Sequence, residues 1–161
     1  MHGEVTGNLA GLKPSELQSL ERIYRRTRRA YLAARKEPTD ENLHELRKRS
    51  KDLWHAAQIL TPIAPKMMKT LADRAHRLSD LVGDDHDLAV LSQKAAQRPE
   101  CLADEREAAV LQALIARRRG QIQHKVIDLA QRISEAKPQK LAGPIRQARV
   151  DTPTSIASPA S

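Results

Sequence analysis

Basic side chains and histidines, spaced about one helical turn apart, are the residues of this sequence that could do chemistry. Stepping about 100° per residue along residues 40–60 places a cationic row on one side and leucines on the other. That row consists of His44, Arg47, Lys48, Lys51 and His55. The preceding stretch carries a second row at helical spacing, made of Arg22, Arg25 and Arg29. Both rows are candidate anion-binding surfaces, because the planar arginine fork donates two hydrogen bonds to a phosphate at once.

Each of these side chains also has a structural interpretation that periodicity alone leaves open. A run of charges at helical spacing is most often the solvated face of an amphipathic helix. His44 either contacts a bound anion or bonds to a neighbouring carboxylate as a structural residue; in the first case binding strengthens as the pH falls and histidine becomes cationic. Arg74 and Arg77, in a later helical stretch, either extend the anion track or lie on the surface.

The composition restricts the classes of protein to which this chain can belong. It has 161 residues, 40% of them hydrophobic, with no phenylalanine, one tryptophan and two tyrosines, so one core of mainly aliphatic side chains is expected. The net charge of +8 favours an anionic partner such as nucleic acid, an anionic membrane or another polyanion. The lone Cys101 excludes an internal disulfide, and no stretch has the pattern of a signal peptide or a membrane span. We therefore expect a cytoplasmic protein without a membrane partner.

Four amphipathic stretches predict an all-α, up-and-down four-helix bundle, because short connections make consecutive helices antiparallel neighbours. The predicted helices cover residues 14–36, 40–60, 65–97 and about 101–136. A flexible leader is expected at 1–13 and a basic, mostly disordered tail at 137–161. Near Gly83 the apolar spacing slips, so a kink or a restart capped by Asp84 or Asp85 is expected there.

Apolar residues at 3-4 spacing predict which side of each helix is buried. The predicted stripe of the first helix is Leu17, Leu20, Tyr24, Thr27, Tyr31 and Ala34. The predicted stripe of the fourth helix is Leu111, Leu114, Ile115, Ile122, Val126, Leu129 and Ile133. Arg118 lies on this second stripe, and we expect it to need a carboxylate partner because a buried unpaired charge is costly.

Three segments together resemble the CHAD family, the conserved histidine α-helical domain. They are YRRTRRAYLAARKEPTDENLHELRKRSKDLW at 24–54, LADRAHRLSDLVGDDHDLAVL at 71–91, and the run between Arg117 and Pro138. The His-x-x-Arg-x-x-x-Lys spacing of His44, Arg47 and Lys51 is short and gains specificity from the LVGDDHDLAVL segment. The segments are similar to the C-terminal half of the family domain.

The resemblance implies a binding and targeting module, with inorganic polyphosphate as its partner and polyphosphate granules as its location. The family fold is two four-helix bundles with a basic cleft between them. A chain that resembles one half is therefore expected to form a homodimer, to pair with a separate first half, or to be a truncated product. The resemblance also makes His44 the histidine that gives the family its name. The implied polyphosphate-binding residues are Arg22, Arg25, Arg29, His44, Arg47, Lys48, Lys51, His55, Arg74 and Arg77. We expect the basic residues of the first two helices to gather on one concave surface.

No residue pattern indicates catalysis or a cofactor, since the chain shows no nucleophile–base pair, glycine-rich phosphate loop or zinc motif. The GDDHD run at 83–87 and Asp80 could offer metal ligands, but consecutive helical residues point apart, so helix capping and ion pairing with Arg118 or Arg74 are expected instead. Two alternatives to polyphosphate stay open: a general nucleic-acid or ribosome-associated binder, and a scaffold docking an acidic protein. The scarcity of aromatic side chains stands against the first, because single-strand binders stack bases on them.

Overall fold

A computed structural model describes residues 14–135 of the chain, with side chains from residue 18 onward. This part of the chain consists of four α-helices and one short 3-10 turn, and residues 14–135 contain no strand. The helices are α1 (Pro14–Lys36), α2 (Asp40–Leu60), α3 (Pro65–Gln97) and α4 (Glu105–Ser134). The all-α four-helix prediction is therefore confirmed. The predicted leader and the predicted tail at 137–161 lie outside the described residues.

Polar side chains and prolines set the helix boundaries. Thr39 caps α2 with its side-chain oxygen, which accepts a hydrogen bond from the backbone N–H of Asn42 at 3.2 Å. Pro65 opens α3 in the first turn, where its missing N–H leaves no helical bond unmade. The predicted start of the fourth helix near residue 101 is wrong, because Pro99–Cys101 forms a separate 3-10 turn and Asp104 caps α4.

The helices pack as antiparallel neighbours in chain order, and α4 closes the bundle against α1. Side-chain bonds to main-chain carbonyls join α1 to two of its neighbours. The Thr27 hydroxyl donates to the carbonyl of Arg49 in α2 at 3.1 Å, and the Tyr24 hydroxyl donates to the carbonyl of Ile133 in α4 at 2.8 Å. The predicted α1 stripe is buried from Leu20 onward, while the side chain of Leu17 lies outside the described part.

The α3–α4 hairpin extends past the ends of the two shorter helices. α3 has 33 residues and α4 has 30, against 23 in α1 and 21 in α2. Ile115 is the first buried residue of α4, and Leu114 is 58% exposed. The predicted burial of Leu114 is thus wrong, because at this level α4 has only α3 beside it. No helix in residues 14–135 is both long enough and apolar enough to cross a membrane.

A partly buried ion-pair network joins α2, α3 and α4. The carboxylate of Asp85, 3% exposed, accepts hydrogen bonds from Arg119 at 3.1 and 3.0 Å and from Gln123 at 3.0 Å. Arg119 also donates to Asp40, the first residue of α2, at 2.6 Å. The hydrogen bonds to Asp85 and Asp40 raise the pKa of Arg119 above the usual arginine value, although burial lowers it.

This network corrects two sequence predictions. The arginine on the buried side of α4 is Arg119, which lies between Ile115 and Ile122 at 4-3 spacing, while Arg118 is exposed. α3 is also continuous through residues 83–85, so the predicted restart with a cap at Asp84 or Asp85 is wrong. The 3-4 spacing of apolar residues changes there because the residue that α3 presents to α4 is Asp85 instead of a leucine. A kink near Gly83 stays a prediction.

Replacing Asp85 tests whether this network stabilises the bundle. Asp85→Ala should lower the free energy of unfolding by about 2 kcal/mol, because Arg119 loses a buried charged partner but keeps Asp40. Urea unfolding followed by circular dichroism measures the change. Asp87→Ala, at an exposed position two residues away, should change the stability by less than about 0.5 kcal/mol. Equal stabilities of the two variants would contradict a structural role for Asp85.

The buried hydroxyl of Tyr24 should make the folded chain less stable at alkaline pH. Burial raises the pKa of its hydroxyl from 10.0 to about 12, although the nearby Arg28 lowers it. The folded chain therefore holds the phenolic proton more tightly than the unfolded chain, and stability should fall by about 2–3 kcal/mol between pH 10 and 12. Tyr24→Phe removes this contribution. The variant should be about 1 kcal/mol less stable than the parent at pH 8, and this deficit should shrink or reverse by pH 12. A constant difference would contradict the assignment.

Candidate anion-binding surface

The cationic row of α2 lies on the outer side of the bundle, along the edge where α2 meets α3. We call His44, Arg47, Lys48, Lys51 and His55 the α2 row. Four of its members are exposed, and Arg47 is half-buried. The row follows one helix flank for about 16 Å, at about 1.5 Å per residue. Leucines from the opposite side of α2, including Leu46 and Leu53, are fully buried. The predicted division of this helix into an apolar face and a cationic face is confirmed.

Arg47 lies across α3 at Gly83. A Cβ atom added to Gly83 would be 3.2 Å from Nη2 of Arg47 and 3.4 Å from its Cζ. The glycine therefore leaves the space that the guanidinium occupies. The Nε atom of Arg47 is buried and makes no hydrogen bond to any described residue. Buried polar atoms usually have partners, so a donor without one is a position where an acceptor would be stabilising.

Two other arginines are also partly buried, and both have carboxylate partners. Arg49 donates to Glu45 at 2.6 Å and to Asp52 at 3.1 Å, and its hydrogen bond to Glu45 is the main reason that its pKa is raised. Arg119 is held by Asp85 and Asp40. Within residues 18–135, Arg47 is the half-buried arginine that no carboxylate neutralises. It is thus the one member of this group whose charge is left for a ligand.

α3 adds an imidazole that sequence reasoning missed. The ring of Trp54 stacks on His55 at 4.7 Å between centroids and meets the edge of His76 at 4.2 Å. Nδ1 of His76 lies 2.9 Å from a carboxylate oxygen of Asp80. These contacts bring His76 to the same α2–α3 edge as His55. No sequence motif marked His76; only the antiparallel pairing of α2 with α3 places it there.

Arg74 and Arg77 lie on a different side of α3. Both are exposed, but at about 100° per residue they are about 180° and 120° around the helix from Gly83, the residue that faces α2. They therefore point toward the α4 side and away from the α2 row. The structure does not bring these two arginines into one track with the other candidates.

The basic residues of α1 form a separate surface. We call Arg22, Arg25 and Arg29 the α1 row; all three are exposed. Arg29 and Arg26 line one wall of a cleft of about 470 Å³, and Glu45 and Arg49 of α2 line the other. The predicted single concave surface is thus wrong, because an ion-paired segment of α2 lies between the two rows.

The GDDHD run does not assemble a metal site in the described part of the chain. Groups of three or more side chains that could hold a metal ion are absent from the described residues. Asp85 points into the bundle toward Arg119, while Asp84, His86 and Asp87 are exposed. The ion pair foreseen for this run exists, but its arginine is Arg119 instead of Arg118 or Arg74.

Two glycines at helix-interior positions provide a matched test of the Arg47 contact. Gly120→Ala should raise the free energy of unfolding by about 0.5–1 kcal/mol, because nothing lies within 4 Å of the added Cβ and alanine favours the helix. Gly83→Ala should gain less or destabilise, since the guanidinium of Arg47 must move. Urea unfolding midpoints measure both. An equal gain at the two positions would show that Arg47 does not depend on Gly83.

A comparison with protein families supports the resemblance. A family model described as the CHAD domain matches residues 10–96, more than half of the chain. The match lies over the N-terminal part of the chain, so it includes α1, α2 and nearly all of α3 but not α4. It gives no support to an assignment to the C-terminal half of the family domain. Comparisons with curated proteins and with solved structures find no match. With the family segments, the α2 row and the all-helical bundle in agreement, this chain belongs to the CHAD family.

Proposed function

We propose that this chain binds inorganic polyphosphate along the α2–α3 edge, with Arg47 as the central contact. The observation that carries the proposal is the state of Arg47: a half-buried guanidinium with an unsatisfied Nε and no carboxylate partner in the described residues. A phosphate bound at this edge would supply the negative charge that no described carboxylate supplies to this guanidinium. The CHAD domain is associated in general with polyphosphate and triphosphate binding, which agrees with this ligand class.

The α2 row suits a linear chain of phosphates. Polyphosphate carries about one negative charge per phosphate. A protein therefore binds it as it binds a nucleic-acid backbone, by replacing the condensed counterions with lysine and arginine side chains. Lys48 and Lys51 flank Arg47 on the same side of the helix, and the exposed His44 and His55 stand at the two ends of the row.

The aromatic residues favour polyphosphate over single-stranded nucleic acid. Proteins that bind single strands stack bases on open aromatic rings. The chain has one tryptophan and two tyrosines. Tyr24 and Tyr31 are 1% and 3% exposed, and Trp54 is already stacked on His55 and packed against His76. The α2–α3 edge therefore offers cations without a free stacking surface, which suits a ligand that has no bases.

The role that fits these features is binding and targeting. The candidate side chains are cations at ligand-binding positions, and none of them is arranged as a nucleophile beside a base. A protein of this kind would attach to polyphosphate granules in the cytoplasm. A homodimer, or a complex with a separate first half of a CHAD domain, would enlarge the basic surface.

A single neutralising substitution tests the central contact. Arg47→Gln should weaken polyphosphate binding about 10- to 100-fold, because a charge-assisted hydrogen bond and a half-buried charge are both lost. Arg118→Gln removes the same charge from an exposed position on α4 and should change the affinity less than about 3-fold. Titration calorimetry at fixed salt measures both. Equal losses in the two variants would mean that the affinity reflects net charge alone.

Competition separates polyphosphate from nucleic acid. If the α2–α3 edge is suited to phosphates without bases, polyphosphate should displace single-stranded DNA at a low concentration of charge. DNA should need a much higher concentration of charge to displace polyphosphate. Fluorescence anisotropy of labelled DNA measures the displacement. If polyphosphate and DNA displace each other at the same concentration of charge, a general polyanion binder is favoured. If the chain captures an acidic protein and the complex survives polyphosphatase treatment, a scaffold is favoured.

A further inference from the structure

The described part of α1 carries a strong positive charge that no ion pair within residues 18–135 neutralises. Its described side chains include seven arginines and lysines, all exposed, and one glutamate. The ion pairs among residues 18–135 lie in α2, α3 and α4 or between them. Arg22 donates to the hydroxyl of Ser19 and Arg35 to that of Tyr31, which leaves both charges in place. Like charges at this spacing repel one another, and a bound anion would reverse that cost.

The α1 row and the α2 row are separated by acidic side chains. Glu41, Glu45 and Asp52 lie within about 40° of one another around α2, on the side toward α1. Glu45 and Asp52 hold Arg49 between them, and the carbonyl of Arg49 accepts the bond from Thr27 of α1. An anionic chain lying on the α2 row would therefore meet carboxylates before it reached α1. One ligand segment would have to cross these carboxylates to occupy both rows.

We infer that the α1 row is a second anion-binding surface, separate from the α2–α3 edge, and that the protein links two polyphosphate segments. The ligand class is a polyanion long enough to reach both surfaces, either as one chain that wraps the bundle or as two chains joined by one protein. This second surface presupposes the polyphosphate binding proposed above. Two surfaces on one chain raise the affinity for a long ligand without any new contact, because the second binding event becomes intramolecular.

Three triple variants with the same loss of charge test the second surface. The first removes the α1 row (R22Q, R25Q and R29Q), the second removes the centre of the α2 row (R47Q, K48Q and K51Q), and the third is a control on α4 (R106Q, R117Q and R118Q). All of these side chains except that of Arg47 are exposed, so the fold should be kept, which circular dichroism checks. The probes are tripolyphosphate, which fits one surface, and long-chain polyphosphate, which reaches both.

The parent chain should bind two tripolyphosphates, and should scatter light when mixed with long-chain polyphosphate because it cross-links the chains. The α1 and α2 variants should each bind one tripolyphosphate, lose the scattering, and lose on the order of 100-fold in affinity for the long chain. The α4 variant should match the parent in stoichiometry and scattering. Calorimetry gives the stoichiometry and static light scattering gives the cross-linking.

The outcomes distinguish this inference from the proposed function. If the α1 variant behaves like the α4 control while the α2 variant loses all binding, the second surface is refuted and the polyphosphate proposal stands. If the α2 variant matches the control and the α1 variant loses all binding, both the α2–α3 site and the two-surface arrangement are wrong. If the parent chain binds neither probe, both proposals are overturned.

Discussion

The carboxylate of Asp85 is a charge inside the bundle that has to be paired. It is 3% exposed, and an ionised carboxylate in that position is costly unless hydrogen bonds replace its water. Arg119 and Gln123 supply those bonds, which fixes how α3 and α4 align along their length. Arg119 also reaches Asp40, so the start of α2 is set by the same network. Gly83 lies two residues before Asp85, and Arg47 lies two turns after Asp40. The alignment that satisfies the buried carboxylate thus also brings Arg47 over Gly83.

The arginines of the described residues divide into those with carboxylate partners among those residues and those without. Arg49, Arg119 and Arg132 are each held by an aspartate or glutamate. Arg47 and the α1 row have no such partner in the described residues. A net charge of +8 alone says only that an anionic partner is favoured. The division indicates which cations are already committed to ion pairs, and this information comes from contacts rather than from composition.

The sequence predicted the fold well because helix periodicity and chain breaks are local signals. Residues at 3-4 spacing predict the first three helices with the bounds that the structure shows, where Thr39 caps α2 and Pro65 opens α3. Errors arose where the outcome depended on a distant helix. Leu114 was placed in the core because its spacing fits, but the shorter α1 and α2 do not extend to its level. Arg118 and Arg119 are adjacent, and only the position of Asp85 on α3 decides between them.

The candidate site was predictable in part for the same reason. Periodicity along α2 identified the α2 row, because one helix determines its membership. The separation of the α1 row from the α2 row was not predictable from one helix. The acidic residues of α2 lie between the two rows only because α1 packs against the acidic side of α2. The change in apolar spacing at Gly83 is visible in the sequence, where it predicts a kink or a restart of the helix. A glycine in a helix interior lowers helix stability, but it also permits the closest approach of a neighbouring side chain. The contact with Arg47 shows the second property, which no single-helix pattern reveals.

The family match and the ion pairs indicate different roles for the helices. The matched residues 10–96 contain both cationic rows, Gly83 and Asp85, whereas Arg119 and Gln123 lie outside them. The first three helices alone would carry the proposed binding chemistry but would leave Asp85 without its hydrogen-bond donors and Tyr24 without the carbonyl of Ile133. α4 would therefore support the proposed anion binding without a contact to the ligand. By satisfying the buried polar groups of α1 and α3, it keeps α3 in the position where Gly83 receives Arg47.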